Sequence, residues 1–64
     1  MTAIEAAIVA SMDLGKSILP EFIEAVYGYG DDVAIVTPDA IITLSKQTFQ
    51  TYLTDWLEAL LEVS

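Results

Sequence analysis

From Asp31 to Ser45 the chain reads DDVAIVTPDAIITLS, and this run limits what the rest can fold into. Val33–Val36 and Ile41–Leu44 are short and rich in β-branched residues, which suit a pleated, half-buried surface. Between them, Thr37-Pro38-Asp39-Ala40 sets Pro before Asp, as the centre of a type I turn prefers. A β-hairpin over about 33–44 is therefore expected. In a competing reading Thr37 caps a helix with Pro38 at its first position, which would make the protein all-α. The consecutive Ile41, Ile42 and Thr43 favour the strand.

Both flanks carry helical spacing. Thr2 and Glu5 form a capping box, in which each side chain satisfies a free backbone donor at a helix start. Ile4, Ile8, Met12, Gly15, Leu19, Phe22 and Val26 then recur every three or four residues. They predict a helix over about 2–28, with a break near 15–20 because Pro20 cannot donate to the carbonyl of Lys16. Alternatively Gly15 closes a first helix and Ser17 caps a second. After the hairpin, Ser45 caps a last helix over about 45–63, in which Phe49, Leu53, Trp56, Leu60 and Val63 form one seam. Lys46 near its start and Glu58 and Glu62 near its end oppose the macrodipole, so tertiary packing must hold it. The expected fold is a small α+β domain, helix–hairpin–helix (αββα), spanning 1–64.

Such a chain has little core. With 64 residues, roughly 6,000 Å² is buried on folding. If about 60% of that is apolar, it contributes about 90 kcal/mol at ~25 cal/mol/Å². Ordering the residues costs about the same. Small domains usually escape this balance with disulfides, a metal or self-association. The sequence has neither cysteine nor histidine, so disulfides and the commonest transition-metal ligands are excluded. Completion by self-association remains.

Ten acidic residues face two lysines, Lys16 and Lys46, and the net charge is −8. Nucleic-acid backbones and anionic membranes both demand clustered cations, so neither is an expected partner. An acidic surface fits basic proteins, or simply keeps an apolar chain soluble. The N-terminal apolar stretch is interrupted by Glu5, Asp13, Lys16, Glu21 and Glu24, which rules out a span, and it lacks the basic start of a secretory signal. The expected location is the cytoplasm, or the inside of a host cell if the gene is viral.

Two motifs invite chemistry. "ASMDLGKS" at Ala10–Ser17 fits a loose phosphate-loop pattern, but it continues a helix, places Asp13 beside the phosphates and has no strand before it. "YGDD" at Tyr29–Asp32, followed by "VAIV", resembles the signature at the catalytic turn of viral RNA polymerases. That resemblance implies metal-holding aspartates, yet two-metal catalysis needs further carboxylates from a palm domain. A hard cation itself wants six or more oxygens. Paired acids elsewhere lie on polar helix faces, and without His, Cys or Arg no nucleophile–base pair can be assembled. The protein is expected to be a non-enzyme with no cofactor.

Surplus apolar residues point to assembly instead. Val9, Ile23 and Tyr27 fall among the acids of the first helix, and Leu57 and Leu61 intrude on the polar side of the last. Together with Phe22, Val33, Ile35 and Ile41, and with Phe49, Leu53, Trp56 and Leu60 of the seam, they form the expected interface. Trp56 is its candidate anchor, and the hairpins are expected to pair through Val33–Val36 or Ile41–Leu44. The order helix–hairpin–helix resembles in outline that of gas-vesicle shell proteins, which implies only that such chains can assemble into walls. The leading function is a structural or regulatory subunit that forms homo-oligomers. The alternative is an acidic inhibitor, encoded by a virus or mobile element, that presents Asp31, Asp32, Asp55, Glu58 and Glu62 on one face to block a basic site on a nucleic-acid-binding protein.

Overall fold

Thr2 begins the first helix as its capping box requires: its Oγ1 accepts from the Glu5 N–H at 3.2 Å, and its own N–H donates to Glu5 Oε1 at 3.1 Å. Helix α1 runs Ala3–Leu14 and stops at Gly15, whose φ of 69° lies in the left-handed region that glycine adopts without a Cβ penalty. The Gly15 N–H donates to the Ser11 carbonyl at 2.9 Å. Ser11 Oγ then accepts from the Ile18 N–H at 2.9 Å, tying the departing chain back to the helix. A 3₁₀ turn follows at Pro20–Phe22. This computed structural model describes residues 2–63.

Three strands come next: β1 Ala25–Tyr29, β2 Asp32–Val36 and β3 Ile41–Ser45. They form an antiparallel sheet in the order β1-β2-β3, with Tyr27 opposite Ala34 and Ala34 opposite Thr43. Gly30 and Asp31 make the first turn, and Gly30 has φ 55°, as a II′ hairpin asks of its first central residue. The second turn is Thr37–Ala40, where the Thr37 N–H and Oγ1 both donate to the Ala40 carbonyl at 2.9 Å. Without any loop, Ser45 ends β3 and caps helix α2, Lys46–Val63, by accepting from the Thr48 N–H at 3.1 Å.

Both helices cover one side of the sheet. Ala6, Val9 and Ala10 of α1, Phe49 of α2, and Val33, Ile35 and Ile42 of the sheet share one core. Tyr52 Oη donates to Asp13 Oδ1 at 2.9 Å and joins the helices. The α+β class and the hairpin between two helices agree with the sequence reading.

Three expectations need correction. The helix does not reach residue 28: Ala25–Tyr29 is a strand. Its side chains alternate, Val26 inward and Tyr27 and Tyr29 outward, and pairing with β2 satisfies backbone groups that Gly28 and Gly30 would have left poorly held in a helix. β2 is consequently the central strand, so Val33–Val36 has no free edge; Ile41–Leu44 does lie at an edge. Finally, α1 is turned over relative to the expected seam. Its alanine-rich face meets the sheet, while Ile4 and Met12 are exposed. Small side chains let the helix approach closely, and dense packing favours that arrangement over one held off by isoleucines.

Candidate interaction surfaces

The expected interface residues separate by burial. Val9, Val33, Ile35 and Phe49 are wholly inside this one chain, so a folded protomer cannot offer them to a partner. Ile23, Leu53 and Trp56 are half-buried, and Phe22, Tyr27, Ile41, Leu57, Leu60 and Leu61 are exposed. Phe22, with Leu14, Lys16 and Pro38, lines a hollow of about 230 Å³ between the 3₁₀ turn and the β2–β3 turn.

The seam of α2 is the strongest feature. Phe49, Leu53, Trp56, Leu60 and Val63 project on one side of the helix at 100° per residue. Exposure climbs along it from 1% at Phe49 to 48% at Leu60 and 88% at Val63. The two helices also differ in length. Twelve residues make α1 about 18 Å long, whereas the eighteen of α2 reach about 27 Å. All of 57–63 is exposed, and none of these residues belongs to the core.

Trp56 bridges this overhang to the outer stripe of α1. With Ile4, Ile8 and Met12 it lines an open groove of about 260 Å³. That stripe is the face whose residues recur every three or four along the sequence, yet Ile4 and Met12 of it are exposed. The pairing of Ala6 with Ala10, one turn apart, was the available sign that the opposite face packs inward.

The acids of the alternative reading fall into two groups. Asp55, Glu58 and Glu62 share one sector of α2, well over 100° away from its seam. Asp31 and Asp32 sit at the β1–β2 turn, beside the start of α2, since the Lys46 N–H donates to the Asp31 carbonyl at 2.8 Å. Glu62 is sixteen residues farther along, or about 24 Å. The five acids do not form one compact face. Among the described residues no three acids converge as a metal site would need.

The chemical motifs are absorbed by structure. In "ASMDLGKS", residues 10–14 are the end of α1 and Gly15 is its cap, so the glycine closes a helix where a phosphate loop must open one. In "YGDD", Tyr29 and Asp32 end and begin paired strands around a two-residue turn. Calorimetric titration with Mg–ATP is expected to show no saturable heat, and Lys16→Ala to change nothing. No described helix is long and apolar enough to cross a membrane.

The Tyr52–Asp13 contact has a testable pH signature. The hydrogen bond to Asp13, aided by desolvation and the carboxylate's charge, raises the Tyr52 phenol above tyrosine's ordinary value. A raised folded value favours the protonated phenol, so its contribution to stability is complete below about pH 10 and is lost as pH climbs through the raised value. Asp13→Ala should bring Tyr52 ionisation back toward the ordinary value in an ultraviolet difference titration. An unchanged curve would show that the contact is not made in solution.

No protein-family model matches the chain, and no curated protein or solved structure is significantly similar to it.

Proposed function

We propose that this chain is a non-enzymatic assembly subunit that works by associating with copies of itself through its helical layer. One observation carries the reading: the apolar seam of α2 continues for two turns beyond the core, beside an outward stripe of isoleucine and methionine on α1. Folded accessible area is 4,292 Å², close to the ~4,000 Å² usual for this mass. The chain is not splayed open; it is closed, yet clothed in large apolar side chains.

Charge favours a second copy here. Ile4, Ile8, Met12, Trp56 and Leu60 carry none, so a basic partner would find nothing to pair with among them. Two copies can bring these surfaces together while Asp55, Glu58 and Glu62 stay on the far side of α2. The two longer dimensions of the molecule are 33 and 24 Å. A broad face thus offers on the order of 800 Å², about what each partner brings to a standard stable interface. A two-fold arrangement, the commonest in oligomers, would lay the overhang of each α2 along the α1 stripe of the other.

Light scattering behind a sizing column, with melting followed over a wide dilution series, tests the proposal. The expected result is a multiple of the 7.0 kDa chain mass and a melting temperature that falls on dilution. A folded monomer whose melting ignores concentration would overturn it.

A further inference from the structure

The side of the sheet away from the helices carries a second surface of different character. We propose that it docks an extended, basic polypeptide segment, independently of association through the helical layer. Strand alternation places Tyr27, Tyr29, Ala34, Val36, Ile41 and Thr43 on this side, because Val33, Ile35 and Ile42 are buried on the other. Tyr29 and Ile41 are about two-thirds exposed. The rings of Tyr27 and Tyr29 stand 6.2 Å apart, tilted by 34°, and present an open aromatic platform.

Acids stand at both ends of the platform. Asp31 and Asp32 lie at the β1–β2 turn, where Asp32 is directly opposite Tyr29. Glu24 precedes β1, and its N–H donates to the Val36 carbonyl at 2.8 Å. With Asp39 of the β2–β3 turn it marks the other end. All four are exposed. Against them stands Lys46, beside Asp31. Apolar in the middle, aromatic along one strand and negative at both ends, the face complements a segment with guanidinium or ammonium groups at its ends and aliphatic residues between. Cations stack on tyrosine faces and form charge-assisted hydrogen bonds with carboxylates. Five-residue strands are about 17 Å long, so the two basic residues should be spaced some four to six positions apart.

A second copy fits this face poorly. Three strands spaced ~4.8 Å apart give a footprint on the order of 200 Å², a fraction of the ~800 Å² that a stable interface takes from each partner. Stacking two copies would also set acid against acid. Phosphate backbones and anionic lipids meet the same repulsion.

The probe is a blocked octapeptide with an arginine at each end of its central six residues and valine and threonine between, titrated into the full chain. Amide NMR shifts should be confined to the sheet and its turns, residues 24–45, and binding should weaken as salt rises. Tyr27→Thr with Tyr29→Thr preserves strand preference and should lower affinity at least ten-fold. Asp55→Asn with Glu58→Gln and Glu62→Gln removes three negative charges elsewhere and should change it less than two-fold. Equal weakening by the two variants, shifts spread along α2, or no binding would each overturn the proposal. So would a tyrosine variant that altered the oligomer mass, because that would assign the face to a second copy. The peptide titration does not touch the helical layer, and Leu60→Glu does not touch the sheet face, so this inference and the assembly reading can fail separately.

Discussion

Leu60→Glu should turn the protein into a monomer without unfolding it. Leu60 belongs to the α2 seam but lies past the core, half exposed within its own chain, so a carboxylate there remains hydrated in the monomer. In the assembly it would be driven among Ile4, Ile8, Met12 and Trp56 of the helical layer with no cation to meet it. Burying an unpaired charge costs several kcal/mol. Even ~2 kcal/mol, the threshold of an interface hot spot, weakens association about 30-fold. Ile4→Glu, on the facing stripe, should act alike. Thr51→Glu, on the charged side of α2, adds the same charge and should leave the mass unaltered. Equal masses for Leu60→Glu and the parent protein would show that any assembly uses another surface.

That experiment rests on a surface the sequence half disclosed. The seam of α2 was legible because four-and-three spacing survives whatever surrounds a helix, and the Ser45 cap and the Thr37–Ala40 turn are local chemistry that tertiary structure had no reason to override. Its overhang was not legible. A helical stretch to residue 28, even broken near 15–20, would have offered α2 more helical surface than a helix that ends at Gly15. That difference hangs on Glu21–Gly30, where Glu-Phe-Ile-Glu-Ala favours helix locally and Val-Tyr-Gly-Tyr suits a strand. The vacant edge of β2 decides the contest, and only the folded chain supplies that edge. Gly30-Asp31 between apolar runs was the overlooked turn signal.

Inversion of α1 has a different cause. This helix is apolar on both sides, so periodicity establishes that a face is buried without saying which. Close packing then selects Ala6, Val9 and Ala10 and leaves the larger residues outside. The outward stripe differs from scattered surface apolars in that it lines one groove with Trp56, and it is on this continuity that the proposed association rests.

Phe49→Ala should have the largest effect on the fold itself. Phe49 is the one residue of α2 wholly enclosed by its own chain, and it is the largest fully buried side chain. It fastens α2 to Val33, Ile35 and Ile42 on the sheet and to Val9 on α1. Truncating such a phenylalanine costs about 3–5 kcal/mol. A chain of this length has only about 3–10 kcal/mol in total, so the variant should be largely unfolded when dilute. Association would return part of the loss, and raising the concentration should restore helical circular dichroism. Trp56→Ala should differ in kind. Half-buried, Trp56 lines the groove with Ile4, Ile8 and Met12 of α1 and belongs to the proposed interface, so its loss should lower the melting temperature and dissociate the assembly together. Denaturant titrations at two protein concentrations distinguish the cases. Were Phe49→Ala to melt like the parent protein at every dilution, the helices could not be packed on the sheet as described.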